Sequence, residues 1–465
     1  MSGAPQTLAQ GQEPQDLGGG GAKDTGSLPL IERDMLASWH SGRWYWLGLF
    51  AAIAVTAIGG WCYAEMVREG LGITGLNSPV MWGSMITTFV FFIGVSHSGT
   101  LVSAILYFAR SPLRASIGRS AEAMTVIAIM TGGLYPILHM GHPWLFFWFL
   151  PLPNQRHLWL NYRSPLAWDV FAIASYVTIS ALFLYMGMLP DLAILARRVA
   201  GWRRVLYRML SLGFAGTERE WAHYERAYPI FAGIAIPLAV SVHSVVSWDF
   251  AMALTPGWHS TIFAPYFVAG AIFSGIAMAI ILLAGMRRGF KLQAHIRIEH
   301  FSMLARLLVA MSLVMTLVYA TEFFMAFYRG GDAEREIFMW RISGPYAPVF
   351  WGVVLCNCIA PLPCFSPRVR NSLPAMIAIA ILVTVGMWFE RYMFVVTSLA
   401  HSFNPAAWHN YRPTLRELAI CLGGFGWFTT LFLLFVKIFP SVSVAETLQG
   451  QAESAAGYEG VPHAR

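Results

Sequence analysis

Ten long apolar stretches divide this chain, near residues 44–66, 80–108, 120–141, 165–189, 228–252, 262–286, 300–328, 346–364, 373–397 and 415–438. Most match or exceed the 20 or so apolar residues that a helix needs to cross the hydrocarbon core of a bilayer. The pattern predicts an all-α polytopic membrane protein with one transmembrane domain over 41–438. It replaces the two or three soluble domains, roughly, that a chain of this length would otherwise form. Residues 1–40, rich in Gly, Gln and Ser, predict a disordered tail with no apolar signal-peptide core, and 439–465 predict a second tail.

Basic residues fall in alternate loops. Arg110, Arg114 and Arg119 follow the second stretch, and Arg197, Arg198, Arg203, Arg204 and Arg208 follow the fourth. Arg287, Arg288, Lys291 and Arg297 follow the sixth, and Arg368 and Arg370 the eighth. The other loops carry fewer, and those in 329–341 are balanced by Asp332, Glu334 and Glu336. Positive loops stay in the cytoplasm, so both tails are expected there. The net charge of +7 therefore calls for no nucleic-acid partner. Composition agrees with a lipid-embedded chain, being 57% hydrophobic and only 12% charged, where a soluble domain carries about 25% charged residues. Five cysteines, Cys62, Cys356, Cys358, Cys364 and Cys421, sit in or beside apolar runs with no Cys-x-x-Cys pair. They support neither a thiol redox pair nor an iron–sulfur motif, and no metal site is expected.

That orientation puts His139, His142, Asp169, Asp249, Glu322, Glu390 and Arg391 at the outer ends of their spans. Trp144, Trp148, Trp159, Trp168, Trp248 and Trp258 crowd the same level, as an interfacial aromatic belt would. A belt does not explain the ionisable residues. An Asp at a helix centre costs about 2.5–3.5 kcal/mol, so such groups face a protein interior or a wet cavity and mark ion, proton or substrate sites.

Tyr135, His139 and His142 stand at i, i+4 and i+7, which is one helical face, and Pro136 kinks that helix. Asp169 comes one turn into the next span, after Pro165. A short outer loop that joined these ends would let a His and an Asp accept the two protons a diphenol releases with two electrons. The plainer reading is a His bonded to a loop carbonyl and an Asp capping a helix. His97, mid-span before Ser98 and Thr100, fits an inward proton relay or a packing hydrogen bond equally. His243 and Asp249 are candidates for a relay or for support of the site. Glu322 and Glu390-Arg391 belong to the same candidate path, but fit buried ion pairs that lock helices together better. His97 and His243 are the only mid-span candidates for a b-type haem, a reading that ranks below both.

A faint repeat divides the chain. Gly94-Val-Ser-His-Ser-Gly99 resembles Gly270-Ala-Ile-Phe-Ser-Gly275, and Ser164-Pro-Leu-Ala-Trp-Asp169 more weakly resembles Gly344-Pro-Tyr-Ala-Pro-Val349. This predicts two parallel four-helix bundles, spans two to five (about 80–252) and six to nine (about 262–397), with one flanking helix at each end. Phe273 replaces His97 and Val349 replaces Asp169, so a single chemical site belongs to the first bundle.

The run from Gly94 to Leu106, then 121–125, His139-Met-Gly-His-Pro-Trp144, 151–154 and 164–169, resembles the NrfD/polysulfide-reductase membrane-subunit family. More narrowly, it is similar to the larger NrfD-like quinol-oxidising subunit of bacterial alternative complex III. Later pieces at 241–250, 256–259, 265–275 and 387–391 extend the likeness over roughly residues 40–440. The resemblance implies quinol (menaquinol or ubiquinol) bound and oxidised at the periplasmic side of the first bundle, in a bacterial inner membrane. It implies His139 and Asp169 as the acid–base pair, with Tyr135, His142, Trp144, Trp168 and Asp249 around the ring. His97, His243, Glu322, Glu390 and Arg391 would lie along a proton path. His142 departs from relatives that often carry Arg before Pro-Trp. Haem and iron–sulfur clusters are expected in partners, not in this chain. The implied partners are a periplasmic iron–sulfur subunit, a multihaem cytochrome c, a second NrfD-like membrane subunit, lipids and, in some assemblies, a terminal oxidase. Two rival classes remain open: a proton channel or transporter without redox chemistry, and a scaffold whose paralogue does the chemistry.

Overall fold

The computed structural model describes residues 29–39, 42–108, 114–150 and 162–455. Expectations placed on Arg110, on 151–154, on Trp159 and on both chain ends lie outside the described residues. Among the described residues, ten helical segments are long and apolar enough to cross a membrane. They are α2 (Arg43–Glu69), α3 (Ser84–Phe108), α4 (Arg114–His139), α5 (Pro165–Ala196), α7 (Glu218–Ala251), α8 (Phe263–Gly289), α9 (Ile298–Tyr328), a broken span that opens with α11 (Ala347–Val353), α13 (Leu373–Ala400) and α14 (Leu415–Ile438). Shorter helices cap the ends: α1 (Leu30–Ser38), α6 (Gly201–Leu210), α10 (Asp332–Ser343), α12 (Pro367–Arg370) and α15 (Val444–Ala455).

Several helices outrun their apolar stretches, and the polar residues at their ends say why. At the start of α7, Thr217 Oγ1 accepts from Glu220 N at 3.3 Å and Glu220 Oε2 accepts from Thr217 N at 2.9 Å. This reciprocal cap satisfies two orphan amides, so the helix begins at Glu218. In α4 the helix starts at Arg114, and Arg119 is no loop residue: only 3% exposed, it bonds Glu122 at 3.0 Å and Asp191 at 3.1 Å. A buried guanidinium is tolerated only when its donors and charge are answered in this way. The eighth span is interrupted by a widened turn at Val354–Ile359 and a tight turn at Leu362–Phe365, with Pro361 just before the tight turn and Pro363 within it. Ser312 Oγ donates to the freed Asn357 carbonyl at 2.6 Å.

Packing places α3 at the centre, against α4, α7, α8 and α13. The chain closes α3, α4, α5 and α7 around one another, while α8, α9, α11 and α13 group beside them and α2 packs along α14. Lipid offers no hydrophobic drive between helices, so close approach depends on small residues and hydrogen bonds. The two copies of the repeated motif meet at the α3–α8 seam. A Cβ on Gly275 would fall on the Ser98 side chain, and Gly94 lies against Ser274 and Ala271. Parts of the stretches expected as tails are helical: Ile31 and Met35 of α1 are buried, and α15 packs against α1, α4 and α5.

Candidate functional site

Three helices bring proton-binding groups to the end of the fold joined by the 140–164 and 252–262 connections. His139 is the last residue of α4, Asp169 lies in the second turn of α5 behind Ser164 and Pro165, and Asp249 lies in the last turn of α7. Side by side, α5 and α7 bring the carboxyl groups of Asp169 and Asp249 close to each other. Ionised carboxylates only accept, so a hydrogen bond between the two would need a proton on one of them. Each carboxyl keeps a buried Oδ1 without a partner, and His139 Nδ1 is a third buried atom without one. The sequence paired His139 with Asp169; the structure pairs Asp169 with Asp249 and leaves His139 unbonded at Nδ1.

Two expected neighbours are placed elsewhere. Gly141, at φ +71°, ends α4, and its amide bonds back to Leu138 O at 3.1 Å. Left-handed backbone after a helix is a glycine stop. His142 therefore leaves the helical face that the i, i+4, i+7 spacing assigned it, is exposed, and lies against Trp144 at 4.9 Å. Tyr135 points away from the acid pair, giving its hydroxyl to Cys421 O of α14 at 2.9 Å and fixing α4 to α14. Trp144 and Trp168 are 57% and 55% exposed, as belt residues are, and Trp168 Nε1 donates to Tyr162 O at 2.8 Å.

Deeper in the bundle His97 of α3 stacks on Tyr176 of α5 with centroids 4.4 Å apart and an interplanar angle of 4°. Its Nδ1 contacts Ile93 O at 2.5 Å, its Nε2 has no partner, and His243, 4.8 Å away, has neither ring nitrogen bonded. Glu390 and Arg391 form the expected buried ion pair at 2.7 Å, and Tyr266 donates its hydroxyl to Glu390. Glu322 differs from expectation: it accepts from Ser260 Oγ at 2.8 Å and forms no ion pair among the described residues.

The sequence reading missed a buried polar cluster at the opposite end. Glu122 accepts from Ser103 at 2.7 Å, from Tyr228 at 2.9 Å and from Arg119, which also holds Asp191. A usable signal existed, an Arg and a Glu at i and i+3 in an apolar run and an Asp just after Pro190. Among the described residues, no group of three or more His, Cys, Asp or Glu side chains is placed to hold a metal.

Ten apolar spans among the described residues, with buried carboxyl groups at one end of the bundle, define a multi-pass helical membrane protein. The chain belongs to the NrfD polysulphide reductase family, whose profile matches residues 72–401. A protein of Halobacterium salinarum, provisionally named as the membrane subunit of a dimethyl sulfoxide reductase, is 29% identical over 54% of this chain and 53% of its own length. That match spans about half of either protein. A selenate reductase subunit of Mesobacillus selenatarsenatis is 24% identical over 80% of this chain and 89% of its own. The Hdr-like menaquinol oxidoreductase integral membrane subunit of Archaeoglobus fulgidus is 22% identical over 85% of this chain and 94% of its own.

Proposed function

We propose that this chain is the quinol-oxidising membrane subunit of a respiratory complex of the alternative complex III type, with its acid pair on the periplasmic side of a bacterial inner membrane. One observation carries the reading: three buried proton acceptors, His139 Nδ1, Asp169 Oδ1 and Asp249 Oδ1, stand without partners at one end of adjoining helices. A quinol that becomes a quinone gives up two electrons and two protons. His139 takes one proton at Nδ1, and the ionised member of the acid pair takes the other. The electrons leave to an iron–sulfur partner at the periplasmic surface and pass on to a multihaem cytochrome c. A second NrfD-like membrane protein completes the assembly, which a terminal oxidase joins in some complexes. The menaquinol named for the archaeal relative favours menaquinol as the substrate.

Asp169→Asn removes an acceptor while keeping shape and a hydrogen bond. Proton transfer by a positioned side chain is worth about 10²–10⁴-fold. Quinol-dependent cytochrome reduction by the purified variant complex should therefore fall at least about 100-fold, with every partner still present in its wild-type amount. Wild-type turnover would move the chemistry to another part of the complex.

A second role, proton conduction through the same helices, has separate support in the His97–Tyr176–His243 group and the buried Glu122 cluster. In vesicles, Glu122→Gln should slow proton uptake from the inner face while quinol affinity is retained. Unchanged uptake would leave the cluster as helix packing alone.

A further inference from the structure

The helix α6 has several faces, and the chain uses only part of them. Arg203 and Tyr207, one turn apart, point inward. Arg203 Nη2 donates to Lys437 O at 3.0 Å, with its guanidinium 4.3 Å from the centre of the Trp39 ring, and Tyr207 donates its hydroxyl to Ile438 O. Leu206 and Leu210 pack on the core, and Tyr185 of α5 donates to Leu210 O at 2.6 Å. These contacts fix how the helix is turned. Trp202, Val205 and Met209, at i, i+3 and i+7, share the opposite side and are 61%, 59% and 70% exposed. Arg204 and Arg208, at i and i+4, run along one edge of that side. Both are exposed, and their side chains make no hydrogen bond or ion pair among the described residues.

The depth of α6 follows from its anchor. The 24 residues of α14 span about 36 Å, against a hydrocarbon core about 30 Å thick. Lys437 and Ile438, which hold α6, end that helix and so lie among headgroups, at the opposite end of the fold from Asp169. A helix placed there lays its apolar side among acyl chains, and its arginines reach the headgroups. Charge selects the headgroup. Residues 197–216 hold Arg197, Arg198, Arg203, Arg204 and Arg208 and no Asp or Glu. Arg197 is bonded to Ala215 O, Arg198 to Glu32, and Arg203 to Lys437 O. Arg204 and Arg208 are left for an anion from outside the chain, and guanidinium groups match phosphate oxygens in shape as well as charge.

We propose that the outer side of α6 is a binding site for an anionic phospholipid, with Arg204 and Arg208 together holding its phosphate and Trp202, Val205 and Met209 lying along its acyl chains. The lipid completes the corner where α5, α6 and α14 meet: the inner side of α6 is held by protein, the outer side by lipid. A zwitterionic phospholipid of the same chains meets the same apolar side but carries an ammonium group that the two arginines repel.

The test counts tightly held lipids by native mass spectrometry of the purified, delipidated complex titrated with phosphatidylglycerol or with phosphatidylcholine of the same chains. The double variant Arg204→Gln, Arg208→Gln should hold one phosphatidylglycerol fewer than wild type, because two arginines at an anionic surface are worth about tenfold or more in affinity. Arg204→Lys with Arg208→Lys should keep that lipid. So should Arg219→Gln with Arg226→Gln, which removes the same charge from exposed positions on α7. An unchanged count in the first variant, an equal loss in the α7 variant, or equal retention of phosphatidylcholine by wild type overturns the proposal. Displacement of the lipid by excess inorganic phosphate would make this a free-phosphate site and overturns it too. Loss of a protein subunit from the first variant with its lipid count unchanged would show that α6 docks a protein instead.

Discussion

Asp169 and Asp249 meet because two apolar helices each carry one carboxyl to the same depth, where two negative charges side by side could not both persist. A proton shared between them would halve the charge and leave one base for the reaction. The two members are then chemically distinguishable by substitution. Asp249→Asn keeps a donor for Asp169, whereas Asp249→Leu removes it. If Asp249 serves to hold Asp169, the Asn variant should retain turnover within about tenfold, and the Leu variant should lose about 100-fold or more, the usual worth of an acid–base group. An Asn variant as slow as the Leu variant would make Asp249 itself the acceptor. Steady-state quinol oxidation by the two complexes decides this. Depth alone made His139 and Asp169 visible in the sequence, because charge is costly there. The approach of Asp249 to Asp169 was not visible, since a contact between α5 and α7 has no local signature. His142 does not share the helical face of Tyr135 and His139 for a local reason that could be read: Gly141 precedes it and breaks the helical spacing.

At the level of helices, the α3–α8 seam depends on matching volumes. Gly275 makes room for Ser98, whose hydroxyl turns back to Val95 O at 2.9 Å; the motif's other serine, Ser274, does the same to Ala271 O at 3.0 Å. Gly275→Ala should destabilise the protein by about 1–3 kcal/mol, the usual range for overpacking a tight contact. Ser98→Gly in the same chain should restore much of that loss, because contacting residues do not add independently. Thermal melting of the detergent-solubilised chain reads both. A double variant as unstable as the single one would show that Gly275 is needed for something other than Ser98. The small residues of this seam stood in the sequence as two short similar motifs, at 94–99 and 270–275. The broken span at 354–365 was not legible, because its apolar composition resembles an ordinary helix. Only the bond from Ser312 of the neighbouring α9 to the Asn357 carbonyl shows how the widened turn is satisfied.

Across the whole molecule, the ten spans were readable because the bilayer fixes their length, whereas the elements that close the ends were not. Residues 441–445, Ser-Val-Ser-Val-Ala, are too short and too mixed to register as structure, yet all five are buried. They run across the first turns of α4 and the last turns of α5. Ser441 O accepts from Ser120 Oγ at 2.7 Å, Ser443 N donates to Ala115 O at 3.1 Å, and Ala445 N donates to Asp191 Oδ1 at 2.9 Å. Glu446 then pairs with Arg114. The segment thus covers the Arg119–Glu122–Asp191 cluster and supplies one of the bonds that let Asp191 stay buried. A chain that stops after Pro440 loses those bonds and the burial of Val442 and Val444, each worth about 1.5–3 kcal/mol. It should melt at a lower temperature, and backbone amides near 114–120 should exchange with deuterium faster. Exchange around Asp169, at the far end of α5, should stay as in the full chain, and so should KM for quinol. Unchanged melting and exchange would make the segment a passenger. Loss of quinol affinity with intact melting would instead tie the two ends of the first helix group together, so that closure at one membrane face sets the geometry at the other.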